Sequence, residues 1–145
     1  MKVIFLDIDG VLNGHEWCHR GGLRINQMPA RVLNAIVQEN ECSVVVSSTW
    51  ARHIEKGDCT ATGFSWMLRT HGIECKVVDG INGMIIDPKI RTDNILKWVE
   101  ENKPDKWIAI DDLPLQLPYF IRPNPAIGLT PVDVKNANQL FQIQA

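Results

Sequence analysis

The sequence predicts an α/β domain built on a three-layer, doubly wound parallel sheet of about five strands. Three observations lead there. Short β-branched runs alternate with segments whose apolar residues recur at helical spacing, the signature of strand–helix–strand units. The runs are apolar on both faces, as in strands covered by helices above and below. Several of them stop abruptly at Asp or Ser, and ligands in such sheets bind beyond the carboxyl ends of the strands. At 145 residues, 45% hydrophobic and 22% charged, the chain fits a single domain over residues 1–145 with enough apolar matter for one core.

The first strand is "KVIFLD", Lys2–Asp7. "GVLNGHEWCHRGGLRINQ", Gly10–Gln27, is glycine-rich and reads as an extended loop or small hairpin. Pro29 marks a helix start, and Val32, Leu33, Ile36 and Val37 carry that helix to about Asn40. "CSVVVSS", Cys42–Ser48, is the second strand. "TWARHIEKGDCTATG" reads as a frayed helix and loop, and "FSWMLRTHG", Phe64–Gly72, as a helix stopped by glycine with His71 as its terminal cation. "ECKVVDG", Glu74–Gly80, is the third strand, and "RTDNILKWVEEN", Arg91–Asn102, a helix ended by Pro104. "KWIAIDD", Lys106–Asp112, is the fourth strand. The last helix lies in "LTPVDVKNANQLF", with Thr130 as N-cap and Pro131 at its first position. Trp66, Trp98 and Trp107 are expected in the core.

Charge and cysteines narrow the function classes. A net charge of −2 gives no global field toward nucleic acid or anionic membranes, although a local basic patch stays open. The apolar start breaks at Asp7, too early for a signal h-region or a membrane span. The four cysteines, Cys18, Cys42, Cys59 and Cys75, form no C-x-x-C pair. Together these predict a cytoplasmic protein with free thiols and no membrane partner, a monomer or weak dimer. Cys18 beside His15 and His19 fits no common zinc spacing and reads as incidental.

The chemistry lies at the strand ends. The first strand ends in Asp7 and Asp9, the second in Ser47 and Ser48, the fourth in Asp111 and Asp112. A single Asp at a strand end is often a turn former or helix cap. A set recurring at neighbouring strand ends would crowd carboxylates that cannot all stay ionised without a cation. Mg²⁺ suits such hard oxygen ligands, and a serine hydroxyl with turn N–H groups suits a phosphate oxygen.

"FLDIDGVLN" resembles the first motif of the haloacid dehalogenase (HAD) superfamily, "VVVSS" its second, and "AIDD" its fourth. Lys89 and Arg91 both qualify for its third, basic motif. Lys89 has the more usual side chain and is favoured, while Arg91 sits where a narrower subgroup favours a cation. That subgroup, which "SSTWARH" and "RTDNILKWVEEN" resemble, comprises small capless HAD proteins, some fused to RNA-repair modules. The resemblance implies a Rossmann-like fold and a Mg²⁺-dependent phosphatase acting through an aspartyl-phosphate. Asp7 would be the nucleophile and Asp9 the general acid and base. The metal would be held by Asp7, the Asp9 backbone carbonyl, and Asp111 or Asp112. Ser47 and Ser48 would bind phosphate, with Lys89 or Arg91 offsetting its charge. Gly10 would let the chain turn after Asp9.

The gaps between motifs, Gly14–Gln27 and Trp50 to about Ile86, are too short for a large cap, so an open site is expected. Open sites suit a phosphorylated polymer end or phosphoprotein as well as small phosphates, and a nucleic-acid partner is one option. His15, Trp17, His19, Arg20 and Arg24 in the first gap, and Arg52, His53 and Lys56 in the second, offer rims for phosphate and bases, or simply polar loops. Three rivals stand beside the phosphatase. A mutase would need water excluded. A receiver-like domain would use Asp79 as phosphoryl acceptor, and a non-catalytic module would bind phosphate without turnover.

Overall fold

The computed structural model describes residues 1–14 and 23–145. In chain order its elements are β1 (Lys2–Leu6), α1 (Gln27–Asn40), β2 (Ser43–Ser47), a 3₁₀ turn (Thr49–Ala51) running into the short α2 (Arg52–Glu55), α3 (Ala61–Arg69), β3 (Val77–Ile81), α4 (Pro88–Asn102), β4 (Lys106–Ile110), β5 (Phe120–Ile121) and α5 (Val132–Gln142). The five strands form one parallel sheet in the order β3-β2-β1-β4-β5. The chain winds outward from β1 to β3, then crosses back to the other side of β1. The switch point therefore lies between β1 and β4. This order is that of dinucleotide-binding folds, and it differs from the 2-1-3-4-5 order of receiver domains.

Period-two alternation sorts the core into two layers. Ile4, Leu6, Val44, Val46, Ile108 and Ile110 face α1, α3 and α5. Val3, Phe5, Val45 and Ala109 face α4, whose Ile95 and Trp98 cover them. Phe5 meets Trp98 and Trp107 edge-on, at centroid distances of 5.4 and 5.7 Å. Among the described residues there is no large cap.

Most elements match expectation in place and differ at their ends. Helix α1 begins before Pro29, which sits in its first turn, where a missing N–H costs nothing. Helix α3 begins at Ala61 because the Thr60 hydroxyl accepts from the Gly63 N–H (2.9 Å). Helix α4 starts a turn earlier than expected because Asp87 caps the Lys89 and Ile90 N–H groups with Pro88 at the first position. Strand β3 is shifted toward the C-terminus, at Val77–Ile81. Thr130 does not cap α5 as expected: the Asp133 carboxylate instead accepts from the Thr130 N–H and hydroxyl.

Trp66 corrects an expectation. It is 60% exposed, while Trp98 and Trp107 are buried. Helix α3 buries Phe64, Ser65 and Leu68, so Trp66 lies on the opposite face, with the Arg69 guanidinium 4.7 Å from its ring centroid. Cys42, Cys59 and Cys75 are free thiols. Burial pushes Cys42 up to about 12 and Cys75 up to about 11, so both are inert core residues. Cys18, His15, Trp17, His19 and Arg20 lie outside the described residues. Among those described, no helix is long and apolar enough to cross a membrane.

Candidate active site

The register explains how distant residues meet. Phe5 pairs with Val45 on one side and with Ala109 on the other. Two residues further along each chain stand Asp7, Ser47 and Asp111. All three inherit the same pleat, on the α4 side of the sheet. The Asp7 N–H still donates to the Ile110 carbonyl at 3.0 Å, which locks the two strand ends together. One carboxylate oxygen from each of Asp7, Asp111 and Asp112 lies within 4.8 Å of the others.

Arg91 reaches this cluster from the first turns of α4. Its Nη1 donates to Asp111 Oδ2 at 2.9 Å and lies 3.6 Å from Asp7 Oδ1. Its Nε and Nη2 both donate to the Ile85 carbonyl, at 3.2 and 2.9 Å, so the guanidinium is held flat. The other oxygen of Asp111 accepts from the Leu113 N–H at 2.9 Å. Lys89 is exposed and lies outside this arrangement. Two residues apart on a helix means opposite faces, so only one of the pair can turn toward the sheet. The sequence favours Lys89, but the side chain that meets the carboxylates is Arg91.

The electrostatics are strained. Burial raises Asp7 well above the usual carboxylate range, and the charge of Asp111 and a hydrogen bond with Asp112 raise it further; Arg91 opposes the rise. Burial likewise raises Asp111, again against Arg91. Three clustered carboxylates, two of them against the one guanidinium, leave excess negative charge in a largely buried place. All the donors are hard oxygens, which fits Mg²⁺ well.

Asp9 is separate from this cluster. After it, Gly10 adopts φ 83°, and the chain leaves the sheet in a tight turn. Asp9 Oδ1 accepts from the Asn13 amide and Oδ2 from the Trp50 indole N–H, both at 3.0 Å. Asn13 also accepts from the Gly10 N–H at 3.0 Å and donates to the Arg24 carbonyl at 2.7 Å, so it staples the turn. The Asp9 side chain is not among the three carboxylates grouped for a metal.

The two serines diverge. Ser47 Oγ accepts from the Asn82 amide at 2.9 Å, and Asn82 in turn accepts from Asn94 at 2.7 Å. Ser48 sits one residue on, in the opposite pleat, and its hydroxyl accepts from the Trp50 N–H at 3.2 Å. It caps the 3₁₀ turn. Asp79 accepts from the Trp98 indole N–H at 2.8 Å and lies within β3 rather than at a strand end.

The chain matches, over residues 3–134, the family described as the HAD domain in Swiss Army Knife RNA repair proteins. It belongs to that family. No curated protein and no solved structure matches it. In this HAD domain the strand-end carboxylates and the α4 cation stand together at the switch point of the sheet, where α/β folds take their ligands. Asn13, Trp50, Asn82 and the Ile85 carbonyl were not picked out from the sequence. Asn13 lay four residues after Asp9, inside the quoted motif. Trp50 lay inside the quoted "SSTWARH", though nothing local tied it to Asp9, and Asn82 carried no signal, because only the folded chain brings it to Ser47.

Proposed function

We propose that this HAD domain is a Mg²⁺-dependent phosphomonoester hydrolase that works through Asp7. The observation that carries this reading is the buried group of Asp7, Asp111 and Asp112 beside Arg91, with a second acid, Asp9, held separately two residues on. Asp7, Asp111 and Asp112 would hold the metal, whose positive charge offsets repulsion between carboxylate and phosphate dianion. In the first step an Asp7 oxygen attacks phosphorus, the ester P–O bond breaks, and Asp9 gives its proton to the leaving oxygen. In the second, Asp9 takes a proton from water, which attacks the aspartyl-phosphate, and the P–O bond to Asp7 breaks. The Ser47 hydroxyl accepts from Asn82, which leaves its proton for a phosphate oxygen. Arg91 offsets the phosphoryl charge.

The setting of the family in RNA repair proteins makes a phosphorylated nucleic-acid end the first substrate to try. The lack of a large cap supports a substrate of that size. Hydrolysis of p-nitrophenyl phosphate tests the reading. Turnover should require Mg²⁺ and fall by about a thousandfold or more in Asp7→Asn. Equal inactivity of wild type and Asp7→Asn over nucleotides, sugar phosphates, phosphorylated oligonucleotides and phosphopeptides would favour a non-catalytic phosphate-binding module.

A further inference from the structure

A cavity of about 270 Å³ is lined by Leu23, Trp50, His53, Cys59, Phe64 and Met67 among others. Its walls come from Leu23 before α1, from the segment after β2 and from the face of α3. Trp50 belongs to both places: its ring lines the cavity while its indole N–H donates to Asp9 Oδ2 at 3.0 Å. The cavity is thus one side chain away from the proposed general acid, which must touch the leaving oxygen. A group seated there would belong to the leaving part of the substrate, because Asp9 must touch the leaving oxygen.

Its chemistry says what that part is. The lining is mainly apolar, and Trp50 and His53 form a tilted aromatic pair with centroids 5.8 Å apart. The rim is polar: His53 Nδ1 stands 3.5 Å from an Asp58 oxygen. Pockets that bury drug-sized ligands run to about 300–1,000 Å³, so this smaller one suits one ring system and not a whole nucleotide. An apolar slot with aromatic walls and a hydrogen-bonding edge is complementary to a flat heterocycle, stacked on its face and bonded at its edge.

We propose that this cavity seats a nucleobase carried by the leaving group. The inference rests on the phosphatase reading for its orientation and on the cavity alone for its ligand. The test compares adenosine 5'- and 3'-monophosphate with ribose 5-phosphate, which has no base. In wild type, kcat/KM for at least one nucleotide should exceed that for ribose 5-phosphate by about tenfold, as stacking of one base supplies. Cys59→Phe, which fills the cavity, and His53→Ala, which removes half of the aromatic pair, should both bring the ratio toward one. Their rates on ribose 5-phosphate should stay within about twofold of wild type, which also reports folding.

A wild-type ratio near one, a ratio that neither variant changes, or phenyl phosphate matching the nucleotides would overturn the proposal. If nothing is hydrolysed, the phosphatase reading fails by itself, and calorimetric binding to wild type in Mg²⁺ decides the cavity. Tenfold tighter binding of a nucleotide than of ribose 5-phosphate, lost in Cys59→Phe, would sustain it. Equal binding would end it.

Discussion

Asp7 shows how much one residue can cost a fold. Its carboxyl is raised by burial, by the charge of Asp111 and by Asp112, so the folded protein binds a proton there more tightly than the unfolded chain does. For a raised carboxyl, the stability contribution is complete below the usual carboxylate range and is lost as pH climbs through the folded-state value. The metal-free protein should therefore lose stability as pH rises from the ordinary carboxylate range. Thermal unfolding in EDTA across pH should show this slope, and Asp7→Asn should flatten it while gaining about 0.5–2 kcal/mol, the usual size of a single stabilising substitution. A slope unchanged by Asp7→Asn would place the strain elsewhere. The two candidate cations give a sharper contrast. Arg91→Ala leaves buried carboxylates without their partner and should cost about 3–5 kcal/mol in metal-free buffer. Lys89 is exposed, and Lys89→Ala should stay within about 0.5 kcal/mol. Chemical denaturation of both variants checks the pair.

At the scale of elements, the stretch between β3 and α4 positions two site groups. Asn82, at φ 63°, turns the chain and bonds Ser47; three residues later the Ile85 carbonyl holds Arg91. Gly83 fastens this stretch to α2, where its N–H donates to Glu55 Oε1 at 2.7 Å. A Cβ on Gly83 would come within 2.5 Å of the Arg52 backbone N and 2.6 Å of its Cα, so the contact exists only for glycine. Gly83→Ala should push the stretch off α2 and cost about 1–3 kcal/mol. Activity should fall along with stability, since Ser47 and Arg91 lose their supports. Full activity in a destabilised Gly83→Ala protein would separate the stretch from the site. Helix starts at this scale were misplaced even where the cap was local. Asp87 with Pro88 marks the start of α4 in the sequence, though the spacing of its apolar residues pointed later. Trp66 misled because an aromatic residue in a helical segment reads as core, and which face is covered depends on the sheet.

The whole molecule links metal to stability. If Asp7, Asp111 and Asp112 hold Mg²⁺ only when folded, the ion should raise the melting temperature in a concentration-dependent way, worth about 2.7 kcal/mol at a hundred times Kd. The effect should vanish in Asp7→Asn, and an equal rise there would point to binding elsewhere. The sequence by itself determined the class of fold and the identity of the carboxylates. Buried parallel strands must be apolar throughout, so the polar residues ending them stand out, and "FLDIDGVLN" is distinctive enough to name its superfamily. Tertiary structure alone decided which groups meet. Strand order and register carried Asp7, Ser47 and Asp111 onto one pleat and sent Ser48 to the other. The rotation of α4 chose Arg91 over Lys89, and the fold brought Trp50 to Asp9 and Asn82 to Ser47. Such pairings join residues far apart in the chain, and their geometry comes from packing, which no local pattern encodes.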